Sequence, residues 1–169
     1  NPTLSITGID TNPGKLASLR EGISPVSTLA NSDVQTMLLG GFYATDSYQP
    51  VEDATVIILA LPTPVLASNE PDMAPLLAGV DSVASRVRNH ALIVIESTIG
   101  PGSTENIVLP RLENHGKVLG EDFLLAFSPE RVNPGAQGEQ VTTIPKIVSG
   151  IDDQSLKAVS TFYSDSGFD

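Results

Sequence analysis

The chain has 169 residues, 40% of them hydrophobic, and carries nine Lys and Arg against twenty Asp and Glu, a net charge of −11 at pH 7. A chain of this length buries one substantial core but scarcely two, and its charge repels nucleic acid and anionic membrane surfaces, so neither is an expected partner. There is no cysteine, which excludes disulfides, thiolate metal sites and cysteine nucleophiles within these residues.

The acidic residues are scattered and read as a solvated surface, so a phosphate-bearing ligand needs local help from helix N-termini or single cations. No apolar run nears the roughly 18 residues that span a membrane. The start, N-P-T-L-S-I-T-G, lacks the basic end and long apolar stretch of a signal peptide, so a cytoplasmic protein is expected.

In chain order, short apolar runs alternate with amphipathic stretches. Leu4 to Ile9 reads as a strand ending at Asp10, and Asn12-Pro13 as an N-cap with proline in the first helical position. A helix follows to about Glu21, with Leu16 and Leu19 on one face and Gly22 as its stop. Ser32 to Leu39 is a second predicted helix, closed by Gly40-Gly41, before a short strand at Phe42-Tyr43-Ala44. Thr55 to Leu61 (TVIILAL) is an unbroken apolar run, the pattern of a strand buried on both faces.

Leu76, Leu77, Val80, Val83, Ala84 and Val87 recur at helical spacing. The cycle repeats with ALIVIE (91–96) as strand, Thr104 to Leu112 as helix, FLLAF (123–127) as strand, Lys146 to Ser149 as a short strand and Asp152 to Tyr163 as helix. Such alternation predicts an α/β fold, a doubly wound parallel sheet with helices on both faces. Ligands of these sheets bind beyond the carboxyl ends of the strands, which singles out Asp10, Pro62-Thr63-Pro64, Ser97-Thr98 and Ser128-Pro129-Glu130.

Each of these has a plainer alternative. Asp10 stands where a dinucleotide fold places the carboxylate for the adenosine ribose hydroxyls, or it is a turn residue that caps the next helix. Lys15, a turn further on, reaches the same ligand or is a solvated surface lysine. The fingerprint G-x-G-x-x-G that normally precedes such an acidic residue by about 20 positions is absent, because only nine residues precede Asp10 and Gly8 is the only glycine among them.

Pro62-Thr63-Pro64 forces an extended exit from its strand and holds the Thr63 hydroxyl at the sheet edge, or simply terminates the strand. In the glycine-rich turn 96–104, Thr98 can orient a water or a substrate oxygen, while Ser103 or Thr104 is better explained as a helix N-cap. The turn lacks the G-K-[ST] ending of a phosphate loop. Glu130-Arg131, between Pro129 and Pro134, is the most unusual pair: a general base or water-positioning carboxylate, or a surface ion pair in a long loop. His90 and His115 have no metal-ligand spacing and read as surface residues, so no metal is expected.

Together these stretches carry more than any one alone. G-I-D-x-N-x-x-K-L, A-x-V-I-I-x-x-x-P-T-P, Pro71-Asp72, I-E-S-T-x-x-P-G-S-T-E, G-E-D-F-x-L-A-F-S-P-E-R-V-N-P-G and K-I-V-S-G-I-D, from residue 4 to the end, resemble the UDP-glucose/GDP-mannose dehydrogenase family. The F-S-P-E-R-V-N-P-G form is closest to its branch oxidising UDP-N-acetylhexosamines, UDP-N-acetylmannosamine among them.

The resemblance implies a Rossmann-like NAD-binding domain lacking its first strand and glycine-rich loop. It implies a four-electron oxidation of a UDP-sugar C6 alcohol to the carboxylate with two NAD. The family's cysteine nucleophile, lysine and asparagine belong to later parts of its chain, and homo-oligomers form in the full-length enzymes. Carried over, Asp10 binds the adenosine ribose with Lys15 beside it, and Thr63 and Thr98 line the cofactor, Thr98 also holding the catalytic water. Glu130 lies near the nicotinamide and the reacting carbon, and Arg131 and Val132 border the substrate. Ile99-Gly100 replaces the family's commoner Val-Pro, and residues 27–48 match poorly and receive no ligand role.

The competing readings are a non-catalytic nucleotide-binding module, a UDP-glucose or UDP-N-acetylglucosamine 6-dehydrogenase, and a hydroxy-acid dehydrogenase of the same fold. Thr98 and Glu130 argue against the first and the P-E-R-V-N-P-G loop against the last. In the usual strand order the first strand is central, so its loss leaves two half-sheets with unpaired edges, and the fragment is expected to be inactive by itself.

Overall fold

The computed structural model of the chain describes residues 4–88, 90–130 and 145–168. It divides into two compact units, Asn1–Pro50 and Val51–Asp169.

In the first unit, β1 (Thr7–Ile9) pairs in parallel with β2 (Tyr43–Thr45), Gly8 opposite Ala44. Helix α1 (Pro13–Arg20) starts as the sequence dictates: Asn12 is extended, and its side-chain oxygen accepts the N–H groups of Gly14 and Lys15. Those amides have no partner inside the helix, and Pro13, at the first helical position, has no N–H to satisfy. The helix stops at Gly22, whose φ of +73° lies in the left-handed region that favours glycine. Arg20 donates twice to the Ala44 carbonyl, tying the end of α1 to β2. Helix α2 (Asn31–Leu39) buries Val34.

The second unit holds a four-stranded sheet in the order β3 (Val56–Leu59), β4 (Ala91–Ile95), β5 (Phe123–Phe127), β6 (Ser149–Gly150). The first three are parallel, each paired residue by residue with the next. All five residues of β4 are buried, because a central strand in a two-faced sheet meets solvent on neither side. Leu92, Val94, Leu124 and Ala126 face Val159 and Tyr163 of α5 (Asp153–Asp165), which packs on that face. Alternation turns Ile93, Ile95 and Leu125 to the opposite face, where they too are fully buried. Helix α3 (Ala74–Ala84) contacts β3 and α4 (Leu109–Asn114). Arg111 of α4 grips Asp81 of α3 at 2.7 and 2.6 Å, and that guanidinium holds the Asp81 carboxyl below its ordinary value.

Three expectations change. The run 55–61 forms a strand only over Val56–Leu59, with Ile58 43% exposed, because β3 is an edge strand among the described residues. The strand expected at 146–149 is β6, two residues long and antiparallel to β5. The sequence between β5 and β6 has no recurring apolar face, the pattern a crossover helix to a parallel strand needs. The helix expected from Thr104 opens as a π-helical turn, Thr104–Val108, in which the Leu109 N–H bonds to the Thr104 carbonyl. The wide turn directly precedes Pro110, whose ring would clash with the carbonyl four residues back in a regular helix.

Among the described residues β1 pairs only with β2, and β3 only with β4. Each unit therefore has a sheet with a bare parallel edge among the described residues. No helix of the described residues is long and apolar enough to cross a membrane, and no group of His, Asp and Glu among them is arranged to hold a metal ion.

Candidate functional site

The residues singled out by position all lie at carboxyl ends of strands, and they fall into three local arrangements. In the first unit, Asp10 follows β1. Its Oδ1 accepts the Asn12 N–H at 2.8 Å and its Oδ2 the Lys15 ammonium at 3.2 Å. The amide, opposed by partial burial and helped by Lys15, draws the Asp10 carboxyl below its ordinary value. Asp10 therefore braces the residue that caps α1, which is its plainer reading, yet each oxygen keeps a lone pair and the side chain is 36% exposed. That is what acceptance from a pair of ribose hydroxyls requires.

In the second unit, Thr63 and Thr98 meet: the Thr63 hydroxyl donates to the Thr98 carbonyl at 2.7 Å. Beneath them the buried Ser97 hydroxyl accepts the Leu61 N–H at 2.8 Å and donates to the Leu59 carbonyl at 3.2 Å. Two hydroxyls thus stitch the Pro62-Thr63-Pro64 exit to the turn after β4. The Thr98 side chain is exposed, and its hydroxyl makes no hydrogen bond among the described residues, so it is open to a ligand. Ser103 precedes the π turn, but its backbone is already helical and its hydroxyl does not cap. A capping side chain needs an extended backbone to swing over the first amides. A cleft of about 390 Å³ opens beside this turn, lined by Ile99, Gly100, Gly102, Phe127 and Ile151 among others.

The third arrangement follows β5. Ser128 continues the strand through its N–H to the Ile95 carbonyl at 3.0 Å and is fully buried, while Glu130 is exposed. Arg131 and Val132 lie outside the described residues.

Sequence reasoning missed what stands beside Ser128. Glu96 accepts the Tyr163 phenol and the Lys146 ammonium on one oxygen, the latter at 2.8 Å, with the Glu96 and Lys146 side chains only 18% and 12% exposed. The same ammonium lies 5.1 Å over the Tyr163 ring and 5.9 Å over Phe168. Burial, then the hydrogen bond to Glu96, pushes the Tyr163 phenol well above its ordinary value. The one available signal was Glu96, a carboxylate closing an otherwise apolar run. His115 pairs with Asp81, and His90 with Gln154 and the Glu121 carbonyl, so both stay outside these sites.

In the second unit, neighbouring parallel strands that present an unengaged threonine hydroxyl and an exposed carboxylate suit an alcohol-bearing ligand and a proton acceptor for it. The comparisons agree. Residues 2–166 match the UDP-glucose/GDP-mannose dehydrogenase family, NAD binding domain.

UDP-N-acetyl-D-glucosamine 6-dehydrogenase of Pseudomonas aeruginosa is 32% identical over 94% of this chain and 37% of its own length. UDP-N-acetyl-D-mannosamine dehydrogenase of Pyrococcus horikoshii is 32% identical over 76% of this chain and 31% of its own. The solved UDP-D-ManNAc dehydrogenase from Pyrococcus horikoshii superposes with a TM-score of 0.88 at 28% identity, over 97% of this chain and 39% of that one. The chain thus spans between 31% and 39% of the length of these relatives. It belongs to the UDP-glucose/GDP-mannose dehydrogenase family, whose NAD binding domain it matches from residue 2 to residue 166.

Proposed function

We propose that this chain is a partial NAD-binding domain, residues 1–169, of a nucleotide-sugar 6-dehydrogenase that oxidises the C6 alcohol of a UDP-sugar to the uronate, with UDP-N-acetylmannosamine the leading substrate. The observation that carries the reading is the open Thr98 hydroxyl and the exposed Glu130 at the ends of the neighbouring parallel strands β4 and β5, in a chain of this family. UDP-N-acetylglucosamine, the substrate that the Pseudomonas aeruginosa relative is named for, is the alternative.

NAD, when bound, accepts hydride from the sugar C6. Asp10 accepts hydrogen bonds from the adenosine ribose hydroxyls, and Lys15 holds that carboxylate in place. Thr63 keeps the Thr98 backbone fixed, and both line the nicotinamide side, with the Thr98 hydroxyl orienting the water of the final hydrolysis. Glu130 takes the proton of the C6 alcohol or aims that water, and Arg131 and Val132 border the sugar. The pyrophosphate has no G-x-G-x-x-G turn in this sequence to receive it, and no cysteine is present to capture an aldehyde. By itself the chain is therefore inactive; cysteine-bearing and sugar-nucleotide domains belong to the rest of the protein, and the enzyme is a homo-oligomer.

The test is the full-length protein with NAD and, separately, UDP-N-acetylmannosamine, UDP-N-acetylglucosamine and UDP-glucose. Two NADH per sugar oxidised is the expected result, fastest with the first, and lost in Glu130→Gln. No NADH from any of the three refutes the proposal.

A further inference from the structure

The register of β4 and β5 has a consequence beyond the strands themselves. Ile95 stands opposite Phe127, and the pairing runs one step further through the Ser128 N–H to the Ile95 carbonyl. Glu96 and Ser128 are therefore the next neighbours in line. By alternation Leu92, Val94 and Glu96 share one face of β4, and Leu124, Ala126 and Ser128 the same face of β5. That is the face α5 covers, and Tyr163 sits one helical turn after Val159 on its buried side. The apolar core of this layer thus ends in a polar lid in which the phenol bonds the end of β4, with Ser128 of β5 next in line.

The chemistry of that lid is specific. The Tyr163 phenol donates to Glu96, whose charge is matched by Lys146. The fully buried Ser128 hydroxyl, on the same face as Glu96, has no hydrogen-bond partner among the described residues. Two residues on is the exposed Glu130 carboxylate. A buried hydroxyl left short of a partner costs on folding, so its retention where the chain turns toward Glu130 is unexplained by core packing alone.

We propose that Tyr163, locked by Glu96 and Lys146, is a positioning residue that fixes the strand end Ser128-Pro129-Glu130 and thereby the direction of the Glu130 carboxylate. The phenol is neutral and immobile; it offers the loop a fixed dipole and a wall, and leaves proton transfer to Glu130. This rests on the reading of Glu130 as the carboxylate that acts at the sugar C6.

The experiment uses the full-length protein and has two readouts. Hydrogen exchange by mass spectrometry is compared between wild type and Tyr163→Phe, which keeps the buried ring. Exchange of the Ser128 and Glu130 amides is expected to rise about tenfold or more while Leu125 and Ala126 stay unchanged. No selective rise overturns the proposal, whatever the enzyme's activity.

The second readout is a cycle of Tyr163→Phe and Glu130→Gln. Tyr163→Phe alone is expected to lower kcat about tenfold with the KM for NAD within twofold, and to have no further effect on the residual rate of Glu130→Gln. An equal loss in both backgrounds means a general structural role and also overturns it. If the wild-type protein oxidises none of the UDP-sugars, the proposed function falls, and the exchange result still decides the anchor.

Discussion

The Asp10 turn and the Glu96 cluster both end a β-strand in a carboxylate paired with a lysine, but they are built over very different spans of chain. Asp10 takes its partners from two and five residues away, in a unit whose sheet has two strands of three residues. Glu96 takes Tyr163 from 67 residues away, on a helix packed across β4 and β5, in a unit with a fully buried central strand. The first is a local motif that exists wherever its peptide makes the turn. The second exists only when the whole layer has assembled, and its ionic groups are held largely out of water.

The largest effect should come from breaking the second. Glu96→Ala strands the Lys146 ammonium and the phenol without their acceptor, and loss of one partner of a mostly buried pair costs about 3 kcal/mol or more. Urea unfolding followed by circular dichroism measures it, and a loss below about 1 kcal/mol would mean that the cluster behaves like a surface pair.

The same cluster gives the second unit an alkaline limit. The phenol is raised above its ordinary value of 10.0, so the fold holds this proton more tightly than the unfolded chain does. Its contribution is complete below pH 10 and is lost as the pH rises toward the folded value. Stability should fall from about pH 10 upward in wild type and fall less steeply in Tyr163→Phe; parallel slopes would remove the phenol from the account.

Smaller effects belong to the local motif. Asn12→Ala removes the acceptor for two amides of α1 and should cost about 1 kcal/mol, read as faster exchange confined to residues 14–20. Lys15→Ala should cost less than about 0.5 kcal/mol in thermal unfolding, since the pair with Asp10 is solvent-exposed, and the cost should vanish in high salt. A loss from Lys15→Ala equal to that from Glu96→Ala would erase the distinction between the two regions.

The distinction also explains what could be read before the fold was seen. Asn12-Pro13, Gly22 and the position of Asp10 announce the first turn because every interaction in it lies within a few residues. The apolar runs mark β4 and β5 closely, since strands buried on both faces leave an unbroken pattern. Thr63 and Thr98 were each conspicuous, but their hydrogen bond depends on β3 and β4 being neighbours. Tyr163 and Lys146 carried no signal at all, because a tyrosine on a helix and a lysine before a short strand are ordinary until the sheet register brings them to Glu96. The direction of β6 was hidden for the same reason: it depends on pairing, and two residues are too few to show a period.

The bare side of β3 has a practical consequence. Among the described residues, Val56-Ile57-Ile58-Leu59 has no strand on its outer side, and it holds no proline or charge, the composition that natural sheets avoid at their rims. Produced alone, the chain should be lost to intermolecular stacking as its concentration rises, and a lysine at the outward-facing position 58 would act as a gatekeeper. A short synthetic strand that occupies this rim would serve the same end without altering the sequence, and the gain in soluble yield would report its binding.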